Sequence, residues 1–268
     1  MRAKSFETYL REQNLSENSI RSYLFSVNFF LKNFGKLNSK KIMEYKDFLL
    51  KNYKVQTVNL RLIGLNKYLK FLKKTDLVQH LIKENPVNFL ENVISIQEYE
   101  KLKNSLKLDG NLKWHFIVRF LASTGVRVSE LVQIKIENII EGFADIKSKG
   151  SKIRRIYIPK ELKNEMLEWL GLLGRNEGFL FLNQRGVKIS ERGIRSQLRH
   201  FAKLYGINEN VVHPHSFRHF FAKKFLEKHA DISFLADLLG HENLDTTRVY
   251  LRKSSREQNE IINSVVIW

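Results

Sequence analysis

The sequence contains no cysteine, and its 268 residues include three prolines and 13 glycines. Without cysteine there is no disulfide, no thiolate nucleophile and no cysteine-ligated zinc. Few prolines and glycines argue against long disordered tracts. No apolar run approaches the ~18 residues that a membrane span needs, and the charged first residues do not resemble a signal peptide. We therefore expect a cytoplasmic globular protein with no membrane partner, whose chemistry uses oxygen and nitrogen groups.

Acidic residues are also scarce relative to basic ones. The chain has 28 aspartates and glutamates against 46 lysines and arginines, which gives a formal charge of +18. This excess is larger than solubility requires, so a polyanion such as nucleic acid is the expected partner, although an AT-rich genome would also enrich lysine. The first 74 residues carry many basic residues with few acids between them, which favours a surface that follows phosphates: Lys32, Lys36, Lys40, Lys41, Lys46, Lys51, Lys54, Arg61, Lys67, Lys70, Lys73 and Lys74.

The length suits two domains of ordinary size. Apolar residues recur at helical spacing in three early segments, which predicts a small helical bundle: residues 16–34, 39–52 and 55–73. Pro86 disfavours helix at the residue before it and lies where this periodicity lapses. We therefore predict a first domain over residues 1–85, a linker over 86–94 and a second domain over 95–268.

The second domain is predicted to be mostly helical with a small antiparallel sheet. Ser95 and Glu98 form a capping-box pattern, and Gly125 and Gly240 follow apolar helical runs as stop signals. Alternating residues predict two strands at 143–147 and 153–158, joined by a turn that contains Gly150. Further elements are predicted as helices at 95–106, 114–124, 191–205, 215–229, 232–239 and from about 254, and as a third strand at 179–182. The expected fold class is therefore mainly α.

Several basic residues stand at positions suited to phosphate chemistry. On a helix begun after Pro214, His215 and Arg218 share one face. Arginine offers a planar fork to phosphate oxygens, and histidine exchanges protons near neutral pH. An isolated His-x-x-Arg pair is usually an ordinary surface pair, but Arg127 follows one glycine helix stop and His241 follows another. Tyr250 comes nine residues after His241. A tyrosine with a pKa near 10 is a poor nucleophile, and such a cationic pocket would favour its phenolate.

This ordered set resembles the pattern of the tyrosine recombinases, also called the phage-integrase family, and most closely their short Xer-like members. The resemblance covers essentially the whole chain. It implies a SAM-like N-terminal domain that binds core DNA and a C-terminal catalytic domain, which together clamp double-stranded DNA at specific core sites. It also implies DNA cleavage through a 3′-phosphotyrosyl link that frees a 5′-hydroxyl, with no metal and no cofactor.

The same resemblance assigns roles to residues of this sequence. Tyr250 would be the nucleophile, and Arg127 and Arg218 would hold the non-bridging phosphate oxygens. A hairpin lysine would protonate the leaving oxygen, with Lys149 as the choice and Lys152 as the alternative. His215 and His241 would assist proton transfer and hold the phosphate. The remaining nearby residues are expected to support the site: Glu130 to orient Arg127 or the backbone, His213 and His219 as support residues without metal-ligand spacing, and Asp245 to cap the helix before Tyr250.

The last ten residues carry an apolar stripe of Ile261, Ile262, Val265, Val266 and Trp268. In the family such a segment docks into a neighbouring protomer, which implies a homo-tetramer or a hetero-tetramer with a related recombinase, with or without accessory proteins. Docking onto its own domain is the alternative. A nucleoid-associated location follows from a DNA substrate. Two other functions remain open from the residues: a non-catalytic DNA-binding protein on this scaffold, and a type IB topoisomerase-like enzyme.

Overall fold

The computed structural model describes residues 2–83, 92–147, 153–241, 243–251, 259 and 262–266, with the backbone alone for residues 2–5 and 147. By its contacts the chain divides into two compact units, Met1–Pro86 and Val87–Trp268. The described residues are mainly α-helical with one small β-hairpin, which confirms the predicted fold class. No helix in the described part of the chain is long and apolar enough to cross a membrane.

The first unit is a helical bundle around an aromatic-rich core. Its helices are α1 (Arg2–Glu12), α2 (Glu17–Phe34), α3 (Ser39–Asn52) and α4 (Val55–Phe71), followed by a short 3₁₀ helix at Thr75–Leu77. Ser16 caps α2 and Asn38 caps α3, because each side chain accepts a hydrogen bond from a backbone amide of the first turn. Phe30, Ile42 and Tyr45 are buried between these helices.

Helix α1 was not among the three early helices predicted from the sequence. Phe6 and Leu10 are fully buried on one face of it. Phe6 lies 4.9 Å from the ring of Tyr68 and 5.4 Å from the ring of Phe71, both on α4. These tertiary contacts stabilise a segment whose own apolar pattern is short.

The second unit is built around α6, against which α5, α9 and α11 pack. Its helices are α5 (Ile96–Leu108), α6 (Leu112–Thr124), α7 (Val128–Leu131), α8 (Ile136–Glu141), α9 (Lys160–Leu172), α10 (Glu191–Leu204), α11 (Pro214–Lys228), α12 (Ile232–Leu239) and α13 (Leu244–Arg248). A 3₁₀ helix follows at Val249–Leu251. The predicted capping box is present, because Ser95 and Glu98 each bond the other's backbone amide.

The hairpin pairs β1 (Phe143–Lys147) with β2 (Ile153–Tyr157) in antiparallel register, with Phe143 opposite Tyr157. The predicted third strand at 179–182 is wrong. Phe179 forms a single isolated bridge with Lys135, and Leu182 forms another with Lys188, so this segment does not extend the hairpin. Helix α9 was also not predicted from the sequence; it begins directly after Pro159.

Three helix ends meet in this unit. Helix α6 ends at Gly125 and α12 ends at Gly240, both in the left-handed conformation with φ near +60°. Helix α11 begins with Pro214 at its first position and with His213 as its N-cap. Arg218, on the second turn of α11, donates hydrogen bonds to the carbonyls of Gly125 and Leu239 and so joins the two C-terminal ends.

Substitution of Gly125 by alanine tests the packing of these helix ends. An added Cβ would lie 2.5 Å from Cδ1 of Phe221 and 2.9 Å from Cδ2 of Leu239, whereas at Gly142, also at positive φ, the nearest atom is 3.7 Å away. Gly142→Ala is expected to lower the free energy of unfolding by about 1–2 kcal/mol through backbone strain alone. Gly125→Ala should lower it by about 1–3 kcal/mol more through the clash. Denaturant unfolding of both variants measures the difference, and equal losses would contradict the packing described.

Candidate active site

Arg218 lies at the centre of the candidate site. Its side chain is buried, and it donates to the Gly125 and Leu239 carbonyl oxygens over 2.7 Å each. Its Nη2 also lies 2.9 Å from Nε2 of His241. Burial and the neighbouring Arg127 lower the pKa of Arg218, and the nearby Tyr250 partly opposes this shift. His241 in turn stacks against Tyr250, so the structure brings together three of the predicted site residues, Arg218, His241 and Tyr250.

Arg127 is held at the edge of the site by Glu130. Nη1 of Arg127 donates to Oε1 of Glu130 over 3.0 Å, and the Arg127 backbone amide donates to Oε2 over 2.9 Å. Nη2 of Arg127 reaches the carbonyl of Gly240 at 3.3 Å. The Arg127 side chain is 37% exposed, so it keeps access to an incoming phosphate. Glu130 thus orients both the arginine and the backbone, the two roles expected of it.

The contacts of His241 fix its tautomer. Guanidinium nitrogens only donate hydrogen bonds, so Nε2 of His241 must accept from Arg218. A neutral ring then carries its proton on Nδ1, which lies 2.8 Å from Oγ1 of the buried Thr247 and donates to it. Thr247 is a site residue that the sequence reasoning missed. It stands on α13, three residues before Tyr250, at helical spacing.

Tyr250 is 4% exposed and lies in the 3₁₀ helix at the end of α13. Its ring packs at 5.0 Å from His219, edge to face, and at 5.9 Å from His241, nearly parallel. Leu235 and Leu239 of α12 complete its surroundings. A tyrosine enclosed in this way has its ring fixed beside His219 and His241.

His215 and His219 occupy successive turns of α11, and their rings lie 4.3 Å apart. His215 is exposed. His219 lies between His215 and Tyr250, and its Nδ1 is buried without a hydrogen-bond partner among the described residues. His213 caps α11, because its Nδ1 accepts from the Ser216 amide over 3.2 Å. These observations agree with the support roles expected of His213 and His219.

The site disfavours charged histidines. Burial, followed by the charge of Arg218, lowers the pKa of His241 to about 4. Burial and the neighbouring His215 lower the pKa of His219 to about 3. Desolvation and Arg218 also lower the pKa of His215. His219 and His241 are therefore neutral at pH 7 in the free protein.

Arg154 is the site residue that sequence reasoning missed entirely. It lies on the inward face of β2, where its side chain is 4% exposed. Nη1 of Arg154 donates to the Leu239 carbonyl and lies 3.5 Å from Oε2 of Glu130. The period-two alternation of β2 carries the signal, since Arg154 stands two residues from the buried Ile156.

Three expectations concern other positions. Lys149 and Lys152 lie outside the described residues, so their roles stay predictions. Asp245 does not cap the helix before Tyr250: Asn243 is the N-cap of α13, and Asp245 pairs with Arg248 over 3.1 Å. No group of three or more His, Asp or Glu side chains in the described ranges is arranged to hold a metal ion. The expectation of metal-free chemistry stays a prediction.

Comparisons with known proteins agree with the fold. The family model described as "Phage integrase family" matches residues 92–257. A second family model, described as "Phage integrase, N-terminal SAM-like domain", matches residues 3–76. The first match spans more than half of the chain. The chain therefore belongs to the phage integrase family of tyrosine recombinases, enzymes that cleave and rejoin DNA strands. The family resemblance inferred from the motifs is confirmed.

Its relatives include tyrosine recombinases XerC and XerA. XerC of Leptospira interrogans is 31% identical over 287 residues, covering 97% of this chain and 91% of the relative. XerA of Pyrococcus furiosus is 30% identical over 266 residues, covering 97% and 92%. A crystal structure of XerH recombinase bound to its difH substrate superposes with a TM-score of 0.71 at 20% identity, covering 99% of this chain and 84% of that one. At 20% identity this structural similarity supports the fold alone.

The neutral histidines predict a pH dependence of stability. In the unfolded chain each histidine titrates near pH 6.5, so between about pH 6.5 and 4 the unfolded chain binds protons that folded His219 and His241 do not. The free energy of unfolding should therefore fall as the pH decreases through this window. Urea unfolding at pH 7 to 4.5 measures it. In His219→Gln the free energy of unfolding should fall less steeply with decreasing pH than in the wild type. In the control His200→Gln, at an exposed position, it should fall as in the wild type. An unchanged slope in His219→Gln would contradict the account.

Proposed function

We propose that this protein is a site-specific recombinase that cleaves double-stranded DNA at core sites through a 3′-phosphotyrosyl link to Tyr250. One observation carries the proposal: Arg218 bonds the ends of two helices and also His241, whose ring stacks against the buried Tyr250. An ordinary apolar core does not place a buried guanidinium and two imidazoles around a tyrosine. The assembled site also argues against a non-catalytic DNA-binding protein on this scaffold.

The arginines supply the charge that the chemistry needs. Attack by a phenolate on a phosphodiester places negative charge on the non-bridging oxygens of a pentacoordinate transition state. Arg127, which is partly exposed, and Arg218 beside the nucleophile would hold those oxygens. Their positions are fixed by carbonyl groups and by Glu130 before DNA arrives, so little reorganisation is needed during the reaction.

Each proton in the reaction needs a partner. As the Tyr250 oxygen bonds to phosphorus and the bond to the 5′-oxygen breaks, the phenol proton would pass to a neutral histidine. His215, whose ring is exposed, is the proposed acceptor, whereas His241, with its two ring nitrogens bonded to Arg218 and Thr247, would help to hold the phosphate. The leaving 5′-oxygen takes a proton from the hairpin lysine, Lys149, with Lys152 as the alternative. Religation reverses these steps.

DNA binding would use both predicted domains, residues 1–85 and 95–268, joined by the linker at 86–94. The formal charge of +18 supports a polyanionic partner. XerH was crystallised on its difH substrate, and a lambda integrase dimer of the same fold on a core site. We infer a specific core site for this protein as well, and with it a nucleoid-associated location.

The C-terminal tail supports assembly on DNA. Ile262, Val265 and Val266 are 57%, 59% and 42% exposed in the single chain, so this part of the stripe does not pack on its own domain. An apolar stripe of this kind favours a contact with a neighbouring protomer. A homo-tetramer, or a hetero-tetramer with a related recombinase, would bury it and would pair two DNA sites for strand exchange, with accessory proteins selecting the pair.

Tyr250→Phe tests the nucleophile. Duplexes that the protein selects from a randomised pool are nicked at a series of positions across their centres, so that the short 5′-hydroxyl fragment diffuses away and the adduct accumulates. In chelator, the wild type is expected to form a covalent protein–DNA band on a denaturing gel, and Tyr250→Phe none. Tyr205→Phe is the matched control, because its hydroxyl bonds Asp109 at 2.9 Å and not the site. An adduct that persists in Tyr250→Phe, or none on bound DNA, contradicts the proposal.

A sulfur substitution distinguishes the lysines. A 5′-bridging sulfur leaves as a thiolate and needs no proton, whereas the natural oxygen does. Lys149→Ala should slow cleavage of ordinary DNA by about 10²–10⁴-fold, the range of general acid catalysis. It should slow the sulfur-bridged duplex by less than about 10-fold, and Lys152→Ala should leave both rates near wild type. Single-turnover rates measure the effects; the reverse pattern would assign the acid to Lys152.

A further inference from the structure

A third arginine, Arg154, shares the site with Arg127 and Arg218 but has no assigned role. It is buried on β2 beneath the turn that follows α12. A Cβ built on Gly240 would lie 2.5 Å from Cδ of Arg154, so a glycine is needed there for this side chain to pass. The Arg154 guanidinium and the Leu239-Gly240-His241 turn therefore form one packed unit.

Within the described part of the chain, the hydrogen bonds of Arg154 are incomplete. Nη1 donates to the Leu239 carbonyl, but Nε and Nη2 are buried with no hydrogen-bond partner among the described residues. An unsatisfied buried donor is destabilising, and an apolar side chain would avoid that cost. Packing alone does not explain an arginine at this position. Burial lowers the pKa of Arg154 to about 10, so it is still charged at neutral pH.

The partner of that charge is Glu130. The carboxylate, 8% exposed, is shared between Arg127 at 3.0 Å and Arg154 at 3.5 Å. Glu130 is needed to orient Arg127, but its negative charge opposes the phosphate that the site must hold. With the three arginines charged and the one carboxylate ionised, these four side chains sum to +2. Without Arg154 they would sum to +1.

We propose that Arg154 is a positioning residue of the active site that compensates the charge of Glu130, so that the carboxylate can orient Arg127 without weakening the positive field at Tyr250 and the phosphate. The proposal rests on the proposed function. Arg154 lies close enough to Tyr250, Arg127 and Arg218 for their charges to interact with its own. The buried guanidinium of Arg154 does not contact the phosphate. It acts on the phosphate through its positive charge and through its effect on Glu130 and Arg127.

The test uses single-turnover adduct formation on the nicked duplex at saturating DNA, together with the Kd for the intact duplex and thermal unfolding. Arg154→Met should form the adduct about 10- to 100-fold more slowly, with a Kd within about threefold of wild type. The matched control is Arg155→Met on the same strand, whose exposed side chain pairs with Asp145, and it should react at the wild-type rate.

A second substitution separates charge from packing. Glu130→Gln removes the charge that Arg154 compensates, so Arg154→Met should slow adduct formation at least about fivefold less in the Glu130→Gln variant than in the wild type. An equal slowing in the two backgrounds overturns the proposal, and so does a folded Arg154→Met that reacts within twofold of wild type. If Arg154→Met does not fold alone, the double variant is compared with Glu130→Gln, and a rate more than about 10-fold lower on bound DNA overturns it. A wild type that forms no adduct refutes the proposed function instead.

Discussion

The carbonyl groups at the end of α12 organise the candidate active site. Among the described residues, Arg218 and Arg154 donate to the Leu239 carbonyl and Arg127 donates to the Gly240 carbonyl. The last carbonyls of a helix have no partner inside the helix and carry partial negative charge. Here they collect positively charged side chains from α11, β2 and the segment before α7. Like charges that would repel one another are thus held together by a shared backbone acceptor.

The left-handed turn at Gly240 makes this geometry available. It ends α12, turns the chain so that His241 faces Arg218, and leaves room for Arg154 beneath it. Burial and the same positive surroundings keep the pKa of His241 low, and its hydrogen bond from Arg218 leaves the ring proton on Nδ1, directed towards Thr247. The helix end therefore sets the arginine positions and, through them, the protonation state of the histidine next to the nucleophile.

Local signals in the sequence predicted much of this. Gly125, Pro214 and Gly240 mark helix ends through their backbone preferences, and the residues after them were identified because those signals act at short range. Arg154 and Thr247 were missed because their roles depend on partners at positions 239 and 241, reached only in the folded chain. The predicted third strand was wrong for a related reason. Whether residues 179–182 pair with the β1–β2 hairpin depends on the folded arrangement, and there Phe179 pairs with Lys135 instead.

The central claim is that Tyr250 itself carries the DNA strand, in a reaction driven by this arginine cluster. Mass spectrometry of the wild-type adduct, formed in chelator and trimmed with nuclease and trypsin, tests it most directly. The nucleotide should remain attached through its 3′-phosphate to the peptide Val249-Tyr250-Leu251-Arg252. A nucleotide found on any other peptide, or an adduct that forms only when a divalent metal is added, would contradict the account.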